Sequence, residues 1–255
     1  MSSGYFVWHD LFTTDSEAAR DFYSQLLGWT VSPTDMGEAG MFTSIQVGET
    51  MIGSVGALTP DRGTHSHWVS HASVEDLNAA IETIRTTGGT IFGEPWEMAG
   101  IGTGIFANDA EGAAFAAFQD ANADAAPQAP VCPPISGSPV WHELVTGDVE
   151  GAIAFYAGIF GWNHVVWDMG GYDYHGLSIG ETPVAGAFQK SDPAQPTSWT
   201  IYFESPGSLD EAIASIPMLG GTLIGGKVAV AGTGEIQLAQ DPTGATFGLL
   251  KSEAM

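Results

Sequence analysis

The sequence is poor in cysteine and contains no long apolar run. Its single cysteine, Cys132, lies in a stretch rich in proline and alanine, so an intrachain disulfide is excluded and a catalytic thiol is disfavoured. No segment approaches the roughly 18 apolar residues that a membrane-spanning helix needs. The N-terminus also lacks the basic segment followed by an apolar run that is typical of a signal peptide. These absences predict a cytoplasmic protein.

Basic residues are equally scarce. Six Lys and Arg stand against thirty Asp and Glu, which gives a formal net charge of -24. A surface this negative repels phosphate backbones and anionic lipid headgroups, so nucleic acid and membrane surfaces are excluded as partners. We interpret the charge mainly as a source of solubility, with steering of cationic ligands as the alternative.

An internal repeat organises what is present. The tetrapeptide Trp-His-Asp-Leu at 8–11 returns as Trp-His-Glu-Leu at 141–144, which is 133 positions later (141 − 8). Further matches follow in the same order, which indicates a duplicated module. They are Gly-Trp at 28–29 and 161–162, Gly-Gly-Thr at 88–90 and 220–222, and Asp109, Gly112 and Phe115 with Asp241, Gly244 and Phe247.

The segment between the copies has no apolar period and is rich in proline, which is typical of an exposed linker. We therefore predict a first module over residues 1–118, a linker over 119–137 and a second module over 138–255. Both modules would bury a core, because 44% of the residues are hydrophobic.

Within each copy, the apolar pattern predicts two consecutive units, each with the order strand, helix and three strands. Asp15 is a good N-cap for the first helix, and Gly28 should end it. In the second copy, Pro217 falls inside the expected second helix, so that helix should end early or kink.

These features together resemble a known superfamily. They are a capped helix ending in Phe-Tyr-x-x-Leu-x-Gly-Trp, a Gly-Gly-Thr after the second helix, and Asp-Pro-x-Gly before the last strand. In this combination both copies resemble the vicinal-oxygen-chelate (glyoxalase/bleomycin-resistance/extradiol-dioxygenase) superfamily. The resemblance implies an α+β fold of two tandem modules. Each would consist of two βαβββ units that form a cupped, mostly antiparallel sheet with helices on its outer face.

The same resemblance bears on metal binding. Metal-dependent members place His, Gln or Glu at inward-facing strand positions, and only Thr200 among the corresponding residues offers even a weak ligand. We therefore predict no cofactor and no metal at these positions. A divalent metal displaced onto Asp10, His67 and His71 is the alternative. The corresponding residues are Trp8, Val69 and Ala116 in the first copy, and Trp141, Thr200 and Gly248 in the second.

Strand alternation sorts the remaining candidates. Asp10 and Glu143 share the inward face with the tryptophans two positions before them, where a carboxylate could act as a general base. A salt bridge or a position at the rim is the alternative reading. His9 and His142 should face the helices and have structural roles.

We predict that the protein binds a small hydrophobic or aromatic metabolite, as a monomer or homodimer. Trp8, His67, Trp141 and Tyr202 are the candidate ligand contacts. Whether it is also an enzyme stays open, because members of the superfamily include lyases, epimerases, dioxygenases, transferases and sequestering proteins. A lyase, isomerase or dioxygenase would use Asp10, His71 and Glu143 as its candidate catalytic residues.

Overall fold

A computed structural model describes residues 3–35, 41–59, 63–98, 100–122, 134–169 and 171–253. Cys132 and most of the predicted linker lie outside the described residues. Within the described ranges, no helix is long and apolar enough to cross a membrane.

The first repeat forms two βαβββ units, as the sequence predicts. Its elements are β1 (Phe6–Thr13), α1 (Ser16–Leu27), β2 (Thr30–Asp35), β3 (Met41–Val47), β4 (Thr50–Ala57), β5 (His67–Ser73), α2 (Leu77–Thr86), β6 (Thr90–Met98), β7 (Gly102–Asn108) and β8 (Ala114–Asp120). The second repeat has the same plan. Its elements are β9 (Pro139–Thr146), α3 (Val149–Phe160), β10 (Asn163–Asp168), β11 (Asp173–Ile179), β12 (Thr182–Gln189), β13 (Ser198–Glu204), α4 (Leu209–Met218), β14 (Thr222–Val230), β15 (Gly234–Gln240) and β16 (Thr246–Ser252).

Each repeat builds one eight-stranded sheet. The strand orders are β2-β3-β4-β1-β5-β8-β7-β6 and β10-β11-β12-β9-β13-β16-β15-β14. In each βαβββ unit the first strand runs parallel to the last, and the three consecutive strands pair antiparallel. The predicted α+β class and the tandem plan are therefore confirmed.

The chain folds into two compact units that do not follow the repeats. Among the described residues, unit 1 contains those within 3–8, 69–122 and 141–199, and unit 2 contains those within 9–68, 134–140 and 200–253. Helices α2 and α3 pack together in unit 1, whereas α1 and α4 pack together in unit 2. Each core therefore joins half of one repeat to half of the other. The module boundaries at 118 and 137 stay a prediction.

Local signals at the helix ends act as expected, with one exception. The Asp15 carboxylate accepts hydrogen bonds from the backbone N–H groups of Glu17 and Ala18, and Gly28 ends α1 in the left-handed conformation at φ 71°. Of the two effects predicted for Pro217, an early end of its helix was wrong, and a kink stays a prediction. Helix α4 has 10 residues, like α2, and Pro217 occupies its last turn.

A buried hydrogen-bond chain fixes the core of unit 1. The indole N–H of Trp199 donates to Tyr156 Oη at 2.8 Å, and Tyr156 Oη donates to Asp109 Oδ2 at 3.0 Å. Asp109 Oδ1 accepts the backbone N–H groups of Glu111 at 3.0 Å and Ala113 at 2.8 Å. Burial raises the pKa of Asp109 and holds the pKa of Tyr156 well above its ordinary value. The chain ties the last turn of repeat one to the first helix of repeat two.

Unit 2 repeats this arrangement with the roles of the copies exchanged. The indole N–H of Trp68 donates to Tyr23 Oη at 3.0 Å. Asp241 Oδ1 accepts the backbone N–H groups of Thr243 at 2.8 Å and Ala245 at 3.0 Å. Burial, followed by the negative charge of Asp241, raises the pKa of Tyr23.

His142 is part of the core of unit 1. It is 5% exposed, and its ring stacks on Phe6 with 3.6 Å between centroids and 16° between planes. Burial lowers the pKa of His142 to about 3, so the imidazole is neutral near pH 7. This agrees with the structural role predicted from strand alternation.

Candidate functional site

The faces of the strands that point away from the helices carry the candidate site residues. On β9, Leu144 is fully buried in the core of unit 1, and His142 belongs to the same core. Alternation therefore directs Trp141 and Glu143 to the opposite face.

A hydrogen-bond chain links these two side chains through a tyrosine. The indole N–H of Trp141 donates to Tyr174 Oη at 2.8 Å, and Tyr174 Oη donates to Glu143 Oε2 at 2.9 Å. Burial, followed by the charge of Glu143, raises the pKa of Tyr174 far above its ordinary value. Because Tyr174 stays protonated, it remains a donor that fixes the position of one carboxylate oxygen.

Flat rings surround this carboxylate on β9 to β12. Trp167 stacks on Tyr174 with 6.0 Å between centroids and 7° between planes, and Trp141 lies 6.5 Å from Trp167. Phe188 also stacks on Tyr174, with 6.4 Å between centroids. We call the four residues Trp141, Trp167, Tyr174 and Phe188 the aromatic wall.

A glycine allows this wall to lie against the sheet. A Cβ atom at Gly186 would come within 2.1 Å of Tyr174 Oη. Gly186 is also the strand partner of Glu143 in the β9/β12 register. The phenol ring therefore occupies the space that a larger residue beside Glu143 would take.

In unit 2, the corresponding carboxylate of the first repeat is held in a different way. Asp10 Oδ1 accepts a hydrogen bond from Ser54 Oγ at 2.6 Å, and both residues are buried. Ser54 is the strand partner of Asp10 in the β1/β4 register, the position that Gly186 occupies beside Glu143. Both repeats thus pair a carboxylate with a hydroxyl group. Ser54 on the neighbouring strand β4 supplies the hydroxyl group beside Asp10, whereas Tyr174 on β11 supplies the hydroxyl group beside Glu143.

His71 lies on β5 in unit 1 among aromatic rings. It is 2% exposed, and its ring centroid is 5.4 Å from Phe106 and 5.8 Å from Trp96. Trp96 in turn stacks on Phe118 at 5.7 Å. The imidazole is therefore enclosed by rings rather than exposed on a surface strand.

Trp8, His67 and Tyr202 are the other candidate ligand contacts. Trp8 is half-buried in β1, and His67, half-buried in unit 2, places Nδ1 2.8 Å from the carbonyl oxygen of His65. Tyr202 is 2% exposed and lies over its strand partner Gly248, where a Cβ atom would meet the phenol ring at 2.1 Å.

The inherited metal positions do not offer a donor set. Val69 and Ala116 are buried and apolar, and the ring of Tyr202 fills the space above Gly248. Thr200 contributes at most one hydroxyl oxygen, whereas divalent ions in proteins take several oxygen, nitrogen or sulfur ligands. Across the described ranges, no three side chains of His, Cys, Asp or Glu converge on one point. The residues present therefore do not fit the metal that the superfamily's triad would hold.

Several residues of the site were not predicted. Tyr174, Trp167 and Phe188 form most of the aromatic wall, and Ser54 holds Asp10, yet none of them was singled out from the sequence. The alternation of Tyr174 with Gly176 on β11 was a usable signal, because a glycine beside an aromatic residue often makes room for a ring.

Comparisons with known proteins agree on the fold. The sequence profile of the Glyoxalase/Bleomycin resistance protein/Dioxygenase superfamily matches residues 5–117. The Mycobacterium tuberculosis protein CFP32, named as a candidate glyoxylase, is 27% identical over 248 residues, which span 96% of this chain and 93% of CFP32. The anthracycline biosynthesis protein DnrV of Streptomyces peucetius is 26% identical over 259 residues, covering 96% of this chain and 92% of DnrV.

Solved structures give the same result at lower identity. The Mn(II)-bound glyoxalase of Novosphingobium aromaticivorans superposes with a TM-score of 0.67 at 13% identity, covering 98% of this chain and 82% of that one. The 2,3-dioxygenase LapB of Pseudomonas sp. KL28 gives 0.65 at 13% identity, with coverage of 100% and 94%. At this identity the likeness concerns the fold alone.

Proposed function

Because the chain belongs to the glyoxalase/bleomycin resistance/dioxygenase superfamily, we propose that it binds a planar aromatic metabolite on the aromatic wall of its second repeat. In this proposal the ligand is held without a metal at the superfamily's inherited positions. The observation that carries it is the chain from Trp141 through Tyr174 to Glu143, which places a fixed carboxylate among flat rings.

The chemistry of the wall defines the class of ligand. Indole and phenol rings offer large flat apolar faces that stack on aromatic rings. The carboxylate of Glu143 accepts hydrogen bonds and attracts positive charge, and tryptophan faces also attract cations. A fused aromatic ring system that carries an amine or hydroxyl donor satisfies both requirements.

One relative supports this class of ligand. DnrV takes its name from anthracycline biosynthesis, and anthracyclines are planar compounds with fused aromatic rings. A relative that aligns over 96% of this chain is therefore associated by name with molecules of the shape that the aromatic wall favours.

The wall is tested by removing one ring at a time. We expect Trp141→Ala and Trp167→Ala to weaken the binding of a planar aromatic amine by about 1–3 kcal/mol, because stacking and apolar burial are lost. Isothermal titration calorimetry is the measurement, since it does not depend on tryptophan fluorescence. Phe92→Ala, which removes a 43% exposed ring from β6, is the matched control and should leave affinity unchanged.

Replacing the carboxylate separates charge from shape. Glu143→Gln should weaken the binding of the aromatic amine more than the binding of a neutral compound of the same shape, because only the amine is attracted by the negative charge. Equal affinity in the wild-type protein and both tryptophan variants would contradict the proposal. Copurification of one equivalent of Fe, Mn or Zn per chain, bound at residues 8, 69 and 116, would also contradict the proposal.

An enzymatic role for the first repeat is the second candidate, favoured by the enclosed imidazole of His71. A general acid or base of a lyase or isomerase works best when water is excluded around it.

His71→Gln is the sharpest variant for this candidate. At 2% exposure, His71→Ala would leave a cavity and lower stability, whereas glutamine keeps polarity and much of the volume. We expect a loss of about 100-fold or more in turnover with little change in Tm if the imidazole transfers a proton. A lower Tm with unchanged specific activity would identify a structural histidine instead.

A further inference from the structure

Two histidines face each other across the hairpin of β10 and β11. His164 Nε2 and His175 Nδ1 are 3.0 Å apart, and the ring planes differ by 8°. His164 is exposed and His175 is half-buried, so the pair is open to solvent. We propose that these two side chains form a binding site for a late first-row divalent cation, with Cu²⁺ and Ni²⁺ preferred over Zn²⁺.

The separation of the nitrogens is short enough for both of them to bind one ion. At a metal–nitrogen distance of about 2.05 Å, two nitrogens 3.0 Å apart subtend an angle of about 94° at the ion. Tetrahedral Zn²⁺ would need the nitrogens about 3.3 Å apart, whereas the square-planar geometry of Cu²⁺ and Ni²⁺ needs about 2.9 Å. The observed spacing is nearer to the second value. The general order of stabilities also places Cu²⁺ first among these ions.

Loading the site requires only local changes. The two nitrogens now share a hydrogen bond, so the donating imidazole must carry its proton on the other ring nitrogen when an ion takes the place of that hydrogen. The rings must tilt about their side-chain bonds so that both lone pairs point at the ion. Water completes the coordination, which makes the site exchangeable rather than permanent.

This pair is separate from the aromatic wall. On β11, Tyr174 and Gly176 lie on the face that carries the aromatic wall. His175 lies on the opposite face together with Leu177, which is 1% exposed in the core of unit 1. The first repeat has Val31 and Thr43 at the corresponding positions, so the pair is specific to the second repeat. The net charge of -24 raises the local concentration of cations around it.

Copper titration of the full chain tests the proposal. We expect one Cu²⁺ per chain at the pair, and an electron paramagnetic resonance spectrum with superhyperfine coupling to two imidazole nitrogens. His175→Thr and His164→Val, which recreate the residues of the first repeat, should each lower Cu²⁺ affinity by at least about 10-fold. His65→Ala removes an exposed imidazole elsewhere and should change nothing.

Two results would overturn the proposal. One is identical copper affinity and an identical spectrum in the wild-type protein and the His164→Val/His175→Thr double variant. The other is tighter binding of Zn²⁺ than of Cu²⁺, which would contradict the preference expected for two imidazole ligands. Neither outcome depends on the ligand of the aromatic wall.

Discussion

Asp109→Ala should lower the free energy of unfolding by about 3–5 kcal/mol, because it leaves buried donors without an acceptor. The carboxylate accepts hydrogen bonds from Tyr156 Oη and from the backbone N–H groups of Glu111 and Ala113. Burial raises the pKa of Asp109, so the charge has a desolvation cost that the substitution relieves. Three lost bonds outweigh this relief, because each unsatisfied buried group costs about 1–3 kcal/mol.

Denaturant unfolding followed by circular dichroism measures this loss. Asp109→Asn is the matched control. It keeps an oxygen for the backbone donors and should recover much of the stability. Hydrogen exchange should place the increased opening in residues 69–122 and 141–199, which belong to unit 1. A loss below about 1 kcal/mol, or one spread equally over unit 2, would show that the chain from Trp199 to Asp109 does not hold unit 1 together.

His142→Phe should make the protein more resistant to acid. The native pKa of His142 is about 3 because of burial, whereas an unfolded histidine titrates near 6.5. The unfolded chain therefore binds the extra proton first, and wild-type stability falls as the pH drops from about 6.5 toward 3. Each pH unit within this window costs about 1.4 kcal/mol, which amounts to about 3 kcal/mol at pH 4.5.

The quantity to measure is the difference in unfolding free energy between wild type and His142→Phe at several pH values. Above pH 7 this difference should be constant and reflect only packing against Phe6. Below 6.5 it should move steadily in favour of the variant. The acidic side chains titrate in both proteins and cancel in the difference. His142→Leu should give the same slope, and a difference that does not change with pH would show that the imidazole is not buried neutral.

The sequence was sufficient for the fold because the fold depends on periodic signals. The offset between repeats, the N-cap at Asp15 and the glycine that ends α1 each act within a few residues. Helix α4 reaches Met218 although the ring nitrogen of Pro217 cannot donate to the carbonyl group four residues before it, so this one lost hydrogen bond does not end the helix early. Alternation also assigned His142 correctly, because one face of β9 packs against the helices.

The candidate site was less predictable, because its contacts join residues that are distant in sequence. Tyr174 on β11 reaches Glu143 on β9 across the intervening strand β12, where Gly186 leaves room for the phenol ring. The hydroxyl partner of Asp10 comes from the neighbouring strand instead, so the duplication itself gave no guide. The division into two units could not be predicted either, because local sequence patterns do not show which half of the first repeat packs against which half of the second.

The composition of the two units has a consequence for synthesis on the ribosome. Unit 1 needs residues from 1–8 through 199, and unit 2 needs residues from 9–68 together with 200–255. The first repeat therefore leaves the exit tunnel with its two helices covered only by strands of their own repeat, until α3 and α4 arrive. The core around α2 can close once residue 199 has emerged, whereas α1 must wait for the residues of unit 2 that follow it. Nascent chains that stall in between would expose apolar surface, which makes them natural clients for chaperones.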